Sequence, residues 1–221
     1  MQNLKSIFSN KKILIYGLAK SGFATLKFLK KFKPKIYCWD DNILVRKNIK
    51  KENLLHYSER LTDNFFDFII VSPGINIRQC HLKKLLRRNK NKVITDLDIF
   101  FNYIKTNQII SVTGTNGKST TCKLLEEVFK KAGYNTKLAG NIGKPILSLK
   151  KFNNKTAFIV EVSSYQLEYT KHFKSNHAAI LNISPDHMER HATMKNYINA
   201  KKKILKFQSS KDHSYLSLNN K

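Results

Sequence analysis

The sequence predicts two consecutive α/β units, each built on a mostly parallel sheet. The first hundred residues alternate short apolar runs with amphipathic stretches, and a second apolar series begins near residue 109 with a glycine-rich turn. A short polar segment at 105–107 separates the two patterns. Strand–helix alternation is typical of parallel sheets, because parallel neighbours need a crossover connection. We therefore place the units at residues 1–105 and 106–221.

The first unit has the pattern of a Rossmann-like fold. Strands are predicted at 12–16, 36–39 and 67–71, and helices at 21–32 and 96–104. The segment Gly17-Leu18-Ala19-Lys20-Ser21-Gly22 resembles a dinucleotide fingerprint whose second glycine is alanine, and Asp40 follows the next strand. This favours one ligand site at Gly17, Asp40 and Gly74. A packing turn in which Ser21 caps the helix fits the pattern equally well.

The second unit opens with a phosphate-loop pattern. An apolar run at 109–113 leads into Gly114-Thr115-Asn116-Gly117-Lys118-Ser119-Thr120, and helix-forming residues follow, with apolar positions at 124, 125, 128 and 129. Unobstructed backbone N–H groups, a helix N-terminus, a flexible cation and a hydroxyl together suit a polyphosphate and its metal. Val112 stands where the general P-loop has glycine. A glycine-rich turn with a surface lysine is the plain alternative.

Four polar residues of the second unit are candidates for its chemistry. Strands are predicted at 156–161 and 177–182 and a helix at 197–207. The four residues are Asn141, Glu161, His187 and Lys201. A carboxylate at a strand end facing a P-loop is a common Mg²⁺ ligand, so Glu161 is a candidate. The alternative is a carboxylate whose hydrogen bonds at the strand end are purely structural. Taken alone, Lys201 is predicted to lie on a solvated helix face.

A zinc hydrolase is excluded by the spacing around the two histidines. His187 and His191 are four residues apart, but the zinc-protease motif needs glutamate directly after the first histidine, on a helix. That position is Met188, and Pro185 lies just upstream. We interpret His191 as a solvated loop side chain.

The charge of the chain is strongly positive. It has 41 lysine and arginine residues against 15 aspartate and glutamate residues, a formal net charge of +26. The excess is spread over both units without the aromatic–basic interleaving of RNA-binding modules, so we interpret it as a lysine-rich surface without a specific nucleic-acid partner. Non-specific attraction to polyanions would still follow.

The cysteines and the hydropathy pattern indicate a cytoplasmic protein. Cys38, Cys80 and Cys122 are evenly separated and form no disulfide or zinc pattern. No apolar run has the length of a membrane span, and the N-terminus lacks a signal-peptide pattern. We expect no membrane insertion and a monomer.

Four ordered motifs resemble the Mur ligases. They are the loop 114–120, Gly140-Asn141-Ile142-Gly143, the run from Glu161 to Glu168, and Asp186 to His191. The segment from Ser163 to Glu168 and the turn Ser72-Pro73-Gly74 resemble the corresponding segments of the family members that add D-glutamate. The resemblance extends over essentially the whole chain. It implies an ATP-dependent, Mg²⁺-dependent amide ligase of peptidoglycan synthesis, with UDP-N-acetylmuramoyl-L-alanine and D-glutamate as substrates.

The resemblance also implies roles for residues of the first unit. The UDP moiety would bind near a group of strand-end and loop residues, which are Gly17, Lys20, Ser21, Asp40, Ser72 and Gly74. The family's usual Asp-Thr-Arg after the second strand reads Asp40-Asp41-Asn42 in this sequence. Because this arginine is absent, the resemblance identifies no residue for the part of uridine recognition that the arginine would perform.

In the second unit the resemblance implies an ATP and metal site. ATP would bind the loop residues Gly114, Thr115, Asn116, Gly117, Lys118, Ser119 and Thr120. Lys118 would hold the β- and γ-phosphates, Ser119 and Glu161 one magnesium, and His187 a second. Asn141 would contact the sugar-peptide substrate. A carbamylated lysine near the second metal would be Lys201, with Lys202 as the register alternative.

Family members carry a third, C-terminal domain for the incoming amino acid. The present sequence reaches Lys221 within the predicted ATP-binding unit, so the resemblance implies an incomplete P-loop-type domain, an absent C-terminal domain and no D-glutamate pocket. We expect a ligase fragment that is inactive alone. The alternatives are a nucleotide-binding module that works with a separate C-terminal half, and a basic polyanion-binding protein.

Overall fold

A computed structural model describes residues 2–47, 49, 53–55, 64–104 and 107–217. The chain divides into two compact units, Met1–Tyr103 and Ile104–Lys221. Lys105 and Thr106, where the sequence places the boundary, lie outside the described residues.

The first unit is built on a four-stranded parallel sheet in the order β2-β1-β3-β4. Its elements are α1 (Gln2–Phe8), β1 (Lys12–Tyr16), α2 (Lys20–Leu29), β2 (Lys35–Trp39), α3 (Ile43–Arg46), β3 (Phe68–Val71), α4 (Lys83–Arg88), β4 (Val93–Ile94) and α5 (Asp96–Tyr103). Strand β1 lies centrally, and Ile13, Leu14 and Ile15 are fully buried. Continuous burial of this kind is typical of a parallel strand covered on both faces.

The second unit is built on a five-stranded parallel sheet in the order β6-β7-β5-β8-β9. Its elements are β5 (Ile109–Thr113), α6 (Lys118–Lys131), β6 (Thr136–Gly140), β7 (Ala157–Glu161), α7 (Ser164–Tyr169), β8 (His177–Ile180), α8 (Met188–His191), α9 (Met194–Lys202) and β9 (His213–Leu216). Strand β5 pairs with β7 on one side and β8 on the other. The carboxyl ends of all three strands therefore meet beside the loop that follows β5.

The structure confirms the α/β class and the parallel sheets. In α6, two of the four apolar positions, Leu124 and Val128, are 62% and 53% exposed. The helix instead packs through Cys122 and Leu125 against Val112 of β5. The apolar pattern was compatible with two neighbouring helix faces, and contact with the sheet selects one. Within the described ranges no helix is long and apolar enough to cross a membrane.

Candidate functional site at the phosphate loop

The loop between β5 and α6 is shaped by glycine and by the start of a long helix. Gly117 has φ +80°, in the left-handed region that favours glycine, and α6 begins directly after it at Lys118. The backbone N–H groups of the first helical turn have no partner within the helix. The loop therefore presents donors and a positive helix end, which suit an anion.

Asn182 holds this loop from the neighbouring strand. Its Oδ1 accepts hydrogen bonds from the backbone N of Thr115 (3.1 Å) and of Asn116 (2.8 Å), and its Nδ2 donates to the Asn116 carbonyl (3.1 Å). Sequence reasoning did not select Asn182. The sequence did contain one indication of its role: Asn182 lies at the end of an apolar strand, and ligand sites in parallel sheets lie at strand ends.

Lys118 and Ser119 begin α6 and engage different partners. The Lys118 Nζ donates to the Thr115 carbonyl of its own loop at 2.6 Å. The Ser119 Oγ donates to Glu161 Oε2 at 2.7 Å. A ligand phosphate would offer the lysine a charged acceptor in place of a neutral carbonyl, which makes a stronger hydrogen bond.

Glu161 is a buried carboxylate at the end of β7, only 1% exposed. Ser119 donates to one of its oxygens, and Asn141 Nδ2 donates to the other, Oε1, at 2.8 Å. Buried carboxylates are rare unless they are hydrogen-bonded or bound to a metal. The Ser119 hydroxyl and the Glu161 carboxylate are adjacent hard oxygen donors, and this donor set fits Mg²⁺.

Gly140 brings Asn141 against the end of β7. Its φ is +107°, and a Cβ added there would lie 2.2 Å from the Glu161 carbonyl oxygen. We expect Gly140→Ala to lower the free energy of unfolding by about 3 kcal/mol, because backbone strain and overpacking act together. Chemical denaturation measures this loss.

Gly133→Ala is the matched control for this substitution. Gly133 also has positive φ, +82°, but an added Cβ would meet nothing within 4 Å. We expect this variant to lose only about 1 kcal/mol from conformational strain. Equal losses in the two variants would show that the approach to Glu161 has no energetic consequence.

Lys201 is buried at 1% exposure, so the solvated helix face predicted from its sequence context is wrong. Its Nζ donates to the Gly114 carbonyl at 2.7 Å and lies 4.5 Å from the centroid of the Tyr197 ring. The Tyr197 hydroxyl is in turn 3.2 Å from Thr115 Oγ1. The inner face of α9 thus packs on the phosphate loop. Lys202, the register alternative, is exposed.

The surroundings of Lys201 make its amine unusually easy to deprotonate. Burial and, to a smaller extent, the nearby Lys118 charge lower the pKa of Lys201, and Asp186 acts in the opposite direction; together they place this pKa at about 8. Desolvation disfavours the charged ammonium, which explains the direction. The amine therefore has a substantial neutral fraction at slightly alkaline pH.

The two histidines occupy different environments. His187 precedes α8 with φ +56°; its ring is half-exposed, 4.8 Å from the Tyr165 ring centroid, and its Nε2 lies 3.3 Å from Asp186 Oδ2. His191 is buried, with Nε2 3.0 Å from Ser164 Oγ, and burial lowers the pKa of its imidazole. The prediction of a solvated loop side chain is wrong for His191, because α8 turns it inward. Among the residues with described positions, no group of three or more His, Cys, Asp or Glu could hold a metal.

In the first unit the structure brings Gly17, Asp40 and Ser72 together at the carboxyl edge of the sheet. Gly17 has φ +91°, and its carbonyl accepts from Ser72 Oγ at 2.7 Å. Asp40 Oδ2 accepts from the backbone N of Leu18 at 2.7 Å. Its other oxygen, Oδ1, accepts from the backbone N of Asn42 at 2.9 Å, so this carboxylate supports both the glycine turn and the turn before α3. Gly74 lies on the exposed turn after β3, where an added Cβ would meet nothing within 4 Å.

Ser21 does not cap α2, which corrects one reading of the sequence. The residue at the N-cap is Ala19, without a side-chain cap, and Ser21 lies inside the first turn. Its hydroxyl donates to Asp96 Oδ2 at the start of α5. Asp96 is buried, and burial raises the pKa of its carboxyl. Lys20, the first residue of α2, is exposed.

Comparison with known sequences gives one consistent family. Residues 112–221 match the model of the Mur ligase middle domain. A UDP-N-acetylmuramoylalanine–D-glutamate ligase of Wolbachia pipientis is 36% identical over 205 residues, which are 90% of this chain and 39% of that protein. The corresponding ligase of Caldicellulosiruptor saccharolyticus is 33% identical over 220 residues, 95% of this chain and 48% of that protein. The chain thus spans about half the length of these curated relatives.

Solved structures share the fold. A UDP-N-acetylmuramate:L-alanyl-γ-D-glutamyl-meso-diaminopimelate ligase of Neisseria meningitides superposes with a TM-score of 0.56 at 15% identity, over 96% of this chain and 73% of that one. A UDP-N-acetylmuramate–alanine ligase of Thermotoga maritima gives 0.51 at 19% identity, over 95% and 50%. At these identities the similarity concerns the fold alone.

Proposed function

Because the chain belongs to the Mur ligase family, we propose that it binds ATP and UDP-N-acetylmuramoyl-L-alanine and serves the addition of D-glutamate during peptidoglycan synthesis. One observation supports this most directly. Lys118, Ser119 and the buried Glu161 converge at the start of α6, within the region that matches the middle domain. A buried acid beside a phosphate loop suits a metal-bound nucleotide better than a purely structural turn.

In this proposal the second unit binds ATP. The loop 114–120 surrounds the phosphates with backbone N–H groups, and Lys118 exchanges its bond to the Thr115 carbonyl for the β- and γ-phosphates. Asn182 fixes the loop by accepting from the N–H groups of Thr115 and Asn116, so the N–H groups that donate to phosphate are those at the start of α6. Preorganised donors of this kind stabilise charge on a transferring phosphoryl group without reorganisation during the reaction.

Ser119 and Glu161 would hold one Mg²⁺, and His187 with a carbamylated Lys201 a second. Bound magnesium would neutralise negative charge on the phosphate oxygens. Asn141, fixed against Glu161, would reach the sugar-peptide substrate. Unmodified, Lys201 is a cation or an amine that donates to Gly114, and it does not suit a hard metal.

Carbamylation would turn Lys201 into an oxygen ligand. The neutral amine attacks the carbon of CO₂, an N–C bond forms, and loss of one proton leaves a carbamate anion. The pKa of Lys201, lowered to about 8, gives the neutral amine that this step needs. The exposure of Lys202 favours Lys201 as the modified residue.

We expect ¹³CO₂ to label the wild-type chain at one lysine near pH 8. Lys201→Met is expected to abolish the ¹³C carbamate resonance, because it removes the only buried amine of α9. Lys202→Met, one residue along on the exposed face, is the matched control and is expected to keep it. A signal lost only with Lys202→Met would assign the modification to the other register.

The first unit would bind the UDP moiety. Gly17, Asp40 and Ser72 form the centre of this site, and Lys20, Ser21 and Gly74 lie on the adjoining α2 and β3 turn. A glycine turn before a helix suits a diphosphate, and an acid after the second strand suits a ribose hydroxyl. The Ser21–Asp96 bond would fix the start of α2.

The reaction that follows is amide formation through an acyl phosphate. A carboxylate is unreactive toward amines, so the L-alanyl carboxylate oxygen first attacks the γ-phosphorus of ATP and ADP departs. The D-glutamate amine then attacks the acyl carbon, loses a proton, and displaces phosphate. Lys118 and the loop N–H groups supply electrostatic stabilisation during the first step.

The proposal is tested by ligand binding and by phosphate release. We expect the 221 residues to bind both nucleotides but to release no phosphate on addition of D-glutamate. Adding the C-terminal half of a curated relative is expected to restore D-glutamate-dependent release if the chain acts as a module. Binding of neither nucleotide by calorimetry would overturn the proposed function.

A further inference from the structure

Arg46 and Trp39 form a stacked pair at the carboxyl edge of the first sheet. The guanidinium carbon of Arg46, the last residue of α3, lies 4.2 Å from the centroid of the Trp39 ring. Both side chains are half-buried. A guanidinium stacked on an aromatic face keeps the N–H groups at its rim available in the plane of the ring.

Trp39 is held rigidly under the arginine. Its Nε1 donates to Asp41 Oδ1 at 3.1 Å, and the same oxygen accepts from the Tyr16 hydroxyl at 2.6 Å. The Trp39 carbonyl accepts from the backbone N of Gly17 at 2.8 Å, so the backbone that carries the ring is bonded to the glycine turn. The pair is therefore part of the same edge as Gly17 and Asp40.

The guanidinium of Arg46 packs on an aromatic ring, and no polar partner for it lies among the described residues. Within the parts of the chain that the structure describes, it takes part in no hydrogen bond and no ion pair. The nearby Asp41 carboxylate is occupied by Trp39, by Tyr16 and by the backbone N of His81. A half-buried cation with five donors and no acceptor is costly unless a ligand or water supplies one.

The order of groups in a nucleotide predicts which group would lie beside the Arg46–Trp39 pair. In a Rossmann-like site the diphosphate lies at the glycine turn and the ribose at the acid after the second strand. The base then lies beyond that acid, toward α3. Ile43 and Leu44 of α3 are 61% and 63% exposed, so this side of the edge presents apolar surface as well. A flat, partly apolar ring with carbonyl oxygens fits such a surface.

We propose that Arg46, stacked on Trp39, is the specificity residue for the base of a uridine nucleotide and donates to the O4 carbonyl of uracil. This inference rests on the proposed function and adds a residue to it. Asn42 caps α3 by accepting from the backbone N of Leu44 at 2.9 Å, which fixes the start of the helix that carries Arg46. Arg46 lies four residues later, one helical turn along.

The single tryptophan of the chain allows a direct test. Titration of the full chain with UDP and with CDP is followed by Trp39 fluorescence, which reports on this edge alone. Cytosine has an amino group in place of O4, and arginine has only donors, so the two ligands separate a contact to the base from a contact to phosphate. We expect the wild type to bind UDP about tenfold more tightly than CDP, as one charge-assisted hydrogen bond allows.

Arg46→Met keeps the packing on Trp39 and removes the donors. We expect it to lose about tenfold in UDP affinity and to bind UDP and CDP equally. Lys47→Met, which removes an exposed neighbouring charge, is expected to leave both affinities unchanged. An Arg46→Met chain that keeps its UDP preference, or that loses UDP and CDP affinity in parallel, would overturn the inference. A wild-type chain that binds neither UDP nor UDP-N-acetylmuramoyl-L-alanine would instead overturn the proposed function.

Discussion

Replacing Lys118 by alanine is expected to lower ATP affinity roughly 100-fold while leaving the affinity for UDP-N-acetylmuramoyl-L-alanine unchanged. Lys118 is the flexible cation at the start of α6, and its Nζ already lies against the phosphate loop, 2.6 Å from the Thr115 carbonyl. Losing charge-assisted hydrogen bonds to phosphate costs about 3 kcal/mol, which corresponds to this factor. Calorimetric titration with each ligand separately measures both affinities.

Lys123→Ala is the control, because Lys123 is exposed on the same helix and carries the same charge. It is expected to change neither affinity. Loss of both ligands in Lys118→Ala, or of neither, would contradict the assignment of ATP to the second unit and UDP to the first. RNA binding that is salt-sensitive and indifferent to Lys118→Ala would favour the polyanion alternative.

Glu168→Ala is expected to destabilise the second unit by about 3–5 kcal/mol. Glu168 Oε2 accepts from Arg190 Nε at 2.8 Å, and the two side chains are only 11% and 6% exposed. Removing one member of a buried pair leaves an uncompensated charge in a poorly solvating environment. Arg190 also lies over the rings of Tyr165 and Tyr169, so it has little freedom to turn toward water. Urea denaturation followed by circular dichroism measures the loss.

The matched control for this pair is Glu126→Ala. Glu126 and Lys130 form an i,i+4 pair on α6 at 2.9 Å, with Lys130 half-exposed. Exposed pairs of this kind contribute only about 0.5 kcal/mol. A Glu168→Ala variant no less stable than Glu126→Ala would show that Arg190 finds solvent or another acceptor.

Local pattern was sufficient to predict the α/β class and the strand and helix on either side of the loop 114–120. Strands β1, β2, β3, β5, β7 and β8 coincide with predicted apolar runs. The central strands among them are covered on both faces, and such a strand needs an unbroken apolar run. The short strand β4 and the edge strands β6 and β9 were not predicted. An edge strand is covered on fewer sides, and the residues of β9 are all exposed, so its sequence carries little apolar signal.

The environment of a side chain was harder to predict than its position. Lys201 and His191 both look solvated in the sequence, since one lies in a lysine run and the other beside charged residues. Each is buried by a contact distant in the chain: Lys201 with Gly114, and His191 with Ser164. Tyr197 and Asn182 were missed as site residues for the same reason. Their partners are loop residues more than sixty positions earlier, which no local pattern reveals.

The bond from Lys201 to Gly114 joins residues 87 positions apart, and this separation has a consequence for the growing chain. Ribosomes add about 5–20 residues per second, so the phosphate loop is made roughly ten seconds before the lysine that braces it. Asn182 and Tyr197 arrive in the same late interval. During translation the loop therefore exists for several seconds without these contacts, which can form only after α9 has left the ribosome.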